Sequence, residues 1–527
     1  MSDLYIFHHH LLTGGVTSVI LKSVEALKSY LPEVDRIYLV TGKKINFSNL
    51  TLSPAVEVKV LPEIDYLEGQ KLSRQNSPTT GSSLANRLIR EFASDNAIWW
   101  VHNYHLGKNP LFTRALLEII HGTYGDIHQK IILQIHDFPE CGRYENLALL
   151  KSIVKNPLYP LSPDVQYIVL NERDYNILIT AGIPQNHLSL LENPISPYTP
   201  PRTNNSEKKK IKQSLAASFG ASFPSFIPDA PLIIYPIRTI RRKNVMEAGF
   251  IARLMEGPVN LIASLPGVSA SEIAYSNLIQ KCFKQGVIPG LWGIGEKLET
   301  AGLSFEKLIE AGDLIISTAV QEGFGYLFIN ALQWQRPLLA RDLDILKGTK
   351  DLFSTFPSHF YSKVTCPLPE SDRKILIEGY RRKLMNLSGI LSDQRVKELI
   401  IDIKELLEKE AVDFSFLTHD LQYRLLKQLD SVSFKNEVIE INRDLVEQAG
   451  ELLYGSELPG ISSSAREAEL QRRYSFRSYA AQAAKILKRF KKGTPSEPQN
   501  HTRKTSADQK EVIRQFARLE YIRLLYD

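Results

Sequence analysis

The chain has 527 residues, 43% hydrophobic and 23% charged, which suits a folded protein of more than one domain and excludes a disordered or fibrous one. A formal charge of +6 is small for this length and is no signature of nucleic-acid binding, and no apolar stretch reaches 18 residues, so no membrane-spanning helix is expected. The three cysteines, Cys141, Cys282 and Cys366, lie far apart without Cys-x-x-Cys spacing and offer neither a zinc site nor a disulfide framework.

The opening Met1-Ser-Asp-Leu-Tyr-Ile-Phe lacks a basic segment followed by an apolar one, so a secretory leader is not expected and a cytoplasmic location is. The spacing of apolar residues then predicts strands at Leu4–His8, Arg36–Val40, Val56–Leu61, Ala97–Val101, Lys130–Ile135 and Gln166–Leu170, with helices at Val16–Tyr30, Ser83–Ser94 and Leu111–His121. Apolar strands alternating with amphipathic helices imply a parallel sheet covered on both faces. The first strand runs into His8-His9-His10-Leu-Leu-Thr13-Gly14-Gly15-Val16. A glycine pair entering a helix offers backbone N–H groups to phosphate or acceptor oxygens. Successive residues of a strand alternate faces, so the three histidines cannot converge on one ion and no metal site is expected there. Two more strands end in histidine, at His102 and at His136-Asp137. Between them and the first helix, the polar stretch Gly69–Gly81 reads as a mobile loop.

Proline density at Asn193-Pro-Ile-Ser-Pro-Tyr-Thr-Pro-Pro201 marks a linker, and residues 199–228 read as linker or insertion. A second series follows, with strands at Leu232–Pro236, Val259–Leu265, Val287–Trp292, Asp313–Ser317 and Pro337–Ala340. Its helices are expected at Lys243–Met255, Ser271–Gln285, Ser304–Ala311 and Gly325–Gln335. After the first of these strands comes the basic turn Arg238-Thr-Ile-Arg241-Arg242-Lys243-Asn244. Arg238 and Lys243 can point into one pocket at the sheet edge, where two cations would stabilise charge developing on a phosphate leaving group. The most informative stretch is Ser317-Thr-Ala-Val-Gln-Glu322-Gly323-Phe324-Gly325, a strand leaving through a glycine turn into a helix. The turn lets the backbone approach a ligand, and the helix start presents N–H groups to an anion. Glu322 would repel that anion and must serve another polar part of the ligand, such as sugar hydroxyls. A phosphorylated sugar has both properties.

The remainder reads as helical over Ser371–Lys427, Ser433–Leu453 and Glu467–Phe490, the last carrying Lys485, Lys488 and Arg489 beside Tyr479, Ile486, Leu487 and Phe490. Lys491–Asp508 is polar, and Gln509–Tyr526 reads as one more amphipathic helix. Asp342-Leu-Asp344 matches a metal-diphosphate pattern, but it follows the last strand of the second series and is not expected to bind Mg²⁺. The chain has no Gly-x-Gly-x-x-Gly after its first strand and no Walker lysine, which argues against a dehydrogenase or an NTPase.

The Glu322 turn, the Arg238–Lys243 turn, the Gly14-Gly15 loop and the His136 strand end together resemble the signature of retaining glycosyltransferases of the GT-B fold. The group is the family-4-like one that includes bacterial mannosyl- and glucosyltransferases and sucrose synthases. The resemblance implies an α/β architecture of two Rossmann-like doubly wound domains facing a cleft, with C-terminal helices crossing back to the first domain. It places the first domain at residues 1–198, the nucleotide-sugar domain at 229–430, returning helices at 431–490 and a polar tail with a terminal helix at 491–527. Tyr474-Ser-Phe-Arg-Ser-Tyr479 resembles the family's last-helix opening.

By the same resemblance, Glu322 contacts donor sugar hydroxyls, while Arg238 and Lys243 hold the donor phosphates. Gly14, Gly15, Gly323, Phe324 and Gly325 bind the donor, and His136 holds the transferring sugar. The family pattern is Glu, seven residues, Glu, and its second acid, which grips the ribose, is Asn330 here. Asn244 stands where glycine is usual. The implied reaction moves a hexose from a nucleotide-diphosphate sugar to an acceptor hydroxyl with retention, without metal or cofactor. The expected partners are that nucleotide sugar and an unidentified acceptor: a glycan, a lipid-linked sugar or a small molecule. Two alternatives stay open. Asn330 suits a binding or scaffold protein that kept the shell and lost turnover, and the basic C-terminal helices suit peripheral contact with the inner face of a membrane.

Overall fold

The computed structural model describes residues 2–12, 14–43, 56–67, 78–125, 128–198, 204–455, 458–491 and 505–523. The chain divides into two compact units. The first comprises Met1–Pro197, Gly389–Leu391 and Ala468–Arg518, and the second comprises Tyr198–Ser388, Ser392–Glu467 and Leu519–Asp527.

The first unit is built on a seven-stranded sheet: β1 (Ser2–His8), β2 (Val34–Thr41), β3 (Val56–Val60), β4 (Ala97–His102), β5 (Lys130–Gln134), β6 (Val165–Val169) and β7 (Leu188–Leu190). Its order is β3-β2-β1-β4-β5-β6-β7, with parallel neighbours throughout. The chain first winds to one side of β1 and then, from β4, to the other. The order therefore reverses between β1 and β4, which opens a crevice at their carboxyl ends.

The second unit repeats this plan with β8 (Leu232–Arg238), β9 (Asn260–Leu265), β10 (Gly290–Trp292), β11 (Leu314–Ser317), β12 (Leu338–Arg341) and β13 (Ser358–Tyr361). The order is β10-β9-β8-β11-β12-β13, again parallel, with the reversal between β8 and β11. A small antiparallel pair joins β14 (Thr365–Pro367) to β15 (Ala411–Asp413), and β15 interrupts the stretch expected to be helical over Ser371–Lys427. Ahead of β8, the helix Asn205–Phe219 starts at a capping box between Asn204 and Glu207. It is pinned to the start of β11, since Lys208 and Lys212 lie 3.2 and 3.1 Å from the Asp313 carboxylate.

The core of the first unit explains why the chain returns to it. Leu4, Ile6, Ile37, Leu39, Ile98 and Ile132 of the sheet pack with Ile20, Val24 and Leu27 of the helix Gly15–Tyr30. The same cluster takes in Tyr479, Ala483, Ile486, Leu487 and Phe490 of the helix Phe476–Lys491. Burying such a row contributes about 1.5–3 kcal/mol for each large side chain. The expected helix Glu467–Phe490 is in fact two, Ser464–Tyr474 and Phe476–Lys491. Ser475 divides them, its hydroxyl accepting from the Ser478 amide. The apolar stripe that a membrane reading requires is thus inside the core. The basic side carries Lys488, 2.9 Å from Glu33, and Arg489, 2.6 Å from the Ser189 hydroxyl. Among the described residues no helix is long and apolar enough to cross a membrane.

The terminal segment, expected as one helix over Gln509–Tyr526, also breaks in two: Gln509–Phe516 and Leu519–Ile522. Phe516 is buried in the first unit, 5.0 Å from the Phe138 ring, whereas Tyr521 and Ile522 are buried in the second. Most of the stretches Gly69–Gly81 and Lys491–Asp508 lie outside the described residues.

Candidate active site

In the second unit the groups of interest sit at the carboxyl ends of β8 and β11, the two strands flanking the reversal. The basic turn and the Glu322 turn are stitched together by backbone. The Val320 amide donates to the Arg242 carbonyl at 2.8 Å, and Arg242 reaches the Gln321 carbonyl at 3.4 Å. Lys243 and Glu322 form an ion pair, both side chains largely buried, and Arg242 lies 3.7 Å from the other Glu322 oxygen. Arg238, ending β8, donates to the carbonyl of Pro266 just beyond β9 at 3.0 Å. The structure thus brings Lys243 and Glu322 into contact and sets Arg238 on the β9 side of the same turn. The turn carries four cations, Arg238, Arg241, Arg242 and Lys243, of which Lys243 and Arg242 lie against the Glu322 carboxylate. That excess suits a polyanionic ligand.

The turn is held from beneath. The Tyr235 hydroxyl donates to the Lys243 carbonyl at 2.7 Å, and the Thr318 hydroxyl lies 3.1 and 2.9 Å from the carbonyls of Lys243 and Asn244. Burial, and next the Glu322 charge, push the Tyr235 hydroxyl well above its usual pKa, so it stays a neutral donor. Asn244 adopts φ 49°, the left-handed region, which accounts for the glycine expected there: asparagine is among the few other residues that tolerate it. Its side-chain amide donates to Glu247 at 2.7 Å. Glu247 is gripped by Arg341 at 2.7 Å, and Arg341 also pairs with Asp413 at 3.1 Å. Tyr361 donates to the same Glu247 carboxylate at 2.8 Å.

The glycine turn after Glu322 opens the helix Tyr326–Trp334. Gly325 has φ 82°, and a Cβ there would meet the Phe328 ring at 2.9 Å, so both conformation and space demand glycine. Phe324 packs edge-on to Tyr326, centroids 5.0 Å apart. Asn330 lies half-buried one turn along, on the face of Tyr326. The Asp342-x-Asp344 pair is committed elsewhere, Asp342 to Lys350 at 2.7 Å and Asp344 to the Tyr521 hydroxyl. Among the described residues no group of His, Cys, Asp or Glu is arranged to hold a metal ion.

In the first unit the corresponding edge is lined by histidines. His8 ends β1, His102 ends β4, and His136 follows β5. His102 Nδ1 lies 2.8 Å from His136 Nε2, and the His136 amide donates to Asn103 Oδ1 at 2.8 Å. The His8 ring is 6.4 Å from His102, and His9 bonds the Ile64 carbonyl at 2.8 Å. Burial lowers all of them. His136 and His9 fall to about 4 from an ordinary 6.5, and His102 falls well below it, His136 adding to the effect of burial. This edge is therefore a set of neutral rings that donate and accept hydrogen bonds. His105, stacked on Tyr104 at 4.8 Å and lowered by burial to about 3, belongs to the same set and was not anticipated. Asp137 pairs with Arg143 at 3.1 Å. Gly14 is extended at φ 178°, and a Cβ on Gly15 would meet no atom within 4 Å. Among the described residues of this unit nothing requires glycine at either position.

No protein-family model matches the chain. Over 452 residues, 85% of each chain, it is 30% identical to mannosylglucosyl-3-phosphoglycerate synthase of Petrotoga mobilis. Among solved structures, sucrose-phosphate synthase of Thermosynechococcus elongatus superposes with a TM-score of 0.51 at 11% identity, over 93% of this chain and 98% of that one, a likeness of fold alone. Two parallel sheets wound on the same plan, a basic turn paired to a glycine-turn carboxylate, and a relative over most of its length give one answer: the chain belongs to the glycosyltransferase family of the Petrotoga mannosylglucosyl-3-phosphoglycerate synthase and has the GT-B fold.

Proposed function

We propose that the protein transfers a hexose from a nucleotide-diphosphate sugar to an acceptor hydroxyl, with retention at the anomeric carbon. The observation that carries this reading is the Lys243–Glu322 pair at the reversal between β8 and β11. Without donor, Lys243 neutralises the carboxylate. When the diphosphate arrives, Lys243 and Arg238 turn to it, and Glu322 is released to accept hydrogen bonds from sugar hydroxyls. As the bond from the anomeric carbon to the phosphate oxygen breaks, the bond to the acceptor oxygen forms on the same face. The acceptor proton passes to the departing phosphate oxygen, whose new charge the two cations stabilise more than they stabilise the bound donor.

The amides around Gly323, Phe324 and Gly325 serve the phosphates at the helix start. Asn330 bonds the ribose with an amide in place of a charge. The clearance at Gly14 and Gly15 admits the donor, and neutral His136 bonds the transferring sugar. The reading needs no metal or cofactor, and it places the enzyme in the cytoplasm, where its donor is made. The name of the Petrotoga relative points to the sugar and acceptor class: mannose onto a glucoside of phosphoglycerate. Lys243→Ala, assayed against a panel of nucleotide sugars, should lower kcat by about 10²–10³-fold with the fold intact. Near-normal turnover would overturn the reading.

A further inference from the structure

The segment Leu519–Arg523 docks on the second unit by anchors that its short helix alone does not explain. Tyr521 donates to Asp344, and Ile522 is buried where the segment packs on the helix Asp393–Leu407. The Arg523 guanidinium lies 3.0 Å from the Ser415 hydroxyl, 3.8 Å from Asp413 and 4.9 Å from the centre of the Phe416 ring. The main-chain carbonyl of Arg523, just past the short helix Leu519–Ile522, accepts from the Arg241 guanidinium at 3.0 Å. A second route runs through side chains. Asp413 holds Arg341, Arg341 holds Glu247, and Glu247 accepts from Asn244. Arg241 and Asn244 bracket Lys243 in the basic turn. One segment, more than 270 residues downstream by the separation of Arg241 and Arg523, therefore ties down both sides of the residue that meets the donor phosphates.

We infer that Leu519–Arg523 is a positioning element of the donor site, with Arg523 as its positioning residue. The inference rests on the donor-site reading given above. A turn of four cationic side chains repels itself, and left untethered it must be ordered by the ligand. Docking of the segment does that ordering in advance, so more of the phosphate interaction appears as affinity. The segment contributes no group to the reaction; it acts through Arg241 and Asn244.

The test uses the whole chain and four variants, Arg523→Ala, Arg523→Lys, Ile522→Asp and Tyr521→Phe, with Lys243→Ala as the reference. Each is titrated calorimetrically with UDP and GDP, the probes for the donor's leaving group, and its fold is checked by circular dichroism. Arg523→Ala and Ile522→Asp should bind the preferred nucleotide at least tenfold more weakly, and Tyr521→Phe, which removes one hydroxyl, about threefold. Arg523→Lys should recover part of the loss, since it restores a charge beside Asp413 without the planar fork. If the folded segment variants bind like the wild type while Lys243→Ala binds weakly, the inference fails and the donor site stands. A lowered melting temperature with unchanged nucleotide affinity overturns it in the same way, as a merely structural contact. If Lys243→Ala binds like the wild type, or if neither nucleotide binds the wild type, the donor-site reading itself fails and this inference falls with it.

Discussion

The two units share one plan and differ in what they put at its edge. Both wind outward from a central first strand and reverse at the fourth, so both leave a crevice at the same topological place. The second unit fills it with charge: a lysine paired to a glutamate, three arginines in one turn, and a buried network of Glu247, Arg341 and Asp413 behind them. The first unit fills it with His8, His9, His102, His105 and His136, which burial keeps neutral. The sheet order decides where a ligand can sit, and the side chains decide what part of it is welcome. Charge suits phosphate; neutral hydrogen-bonding rings suit hydroxyls.

The contrast can be broken most forcefully in the second unit. Arg341→Ala leaves Glu247 and Asp413 buried without their shared guanidinium and should cost about 3–5 kcal/mol in urea unfolding. A loss below about 1 kcal/mol would mean that these charges are hydrated in the folded protein. The first unit should respond instead to acid. Unfolded, its imidazoles take up protons near 6.5; folded, His136 and His9 stay neutral down to about 4 and His105 to about 3. Their stabilising effect is complete above pH 6.5 and is lost as pH falls toward 4. The expected slope is roughly 1.4 kcal/mol per pH unit for each histidine that protonates only on unfolding. Urea unfolding at three pH values across that window reads it, and a flat profile would show that the rings are not sealed from water. The smallest effect sharpens the comparison. Gly15→Ala should leave stability unchanged within about 0.5 kcal/mol, because the new methyl meets open space, whereas Gly325→Ala is strained by both conformation and contact. A fall in turnover for Gly15→Ala without a fall in stability would show that its clearance serves a ligand.

Much of this was legible in the chain because apolar, β-branched runs end abruptly at glycine, proline or charged turns. Asn260–Leu265 and Leu314–Ser317 were expected to within a residue at either end. The strands that escaped notice are short and lie at edges or outside the main sheets. Leu188–Leu190 has a serine in its middle, and Ser358–Tyr361 is half-exposed along most of its length. Lys243 and Glu322 could be singled out because each lies a few residues past a strand end, where ligands bind. The contact between His102 and His136 could not, since it depends on β4 and β5 being neighbours in register, His102 opposite Gln134. The Glu247–Arg341–Asp413 network was invisible for a similar reason. A glutamate in a helix and an arginine at a strand end both read as surface residues until three distant segments meet. Asn244 did carry a signal: an asparagine at a glycine position points to a left-handed residue, which is what the turn adopts.

The guanidinium of Arg341 draws its counter-ions from a helix near residue 247 and a strand near residue 413. During synthesis, a nascent chain released only as far as Pro367 holds the Glu247–Arg341 couple but lacks Asp413, and through it the site for Arg523. The second unit therefore reaches its finished electrostatics late. Its last charges close only once Arg523, far downstream of the strands it steadies, has left the ribosome.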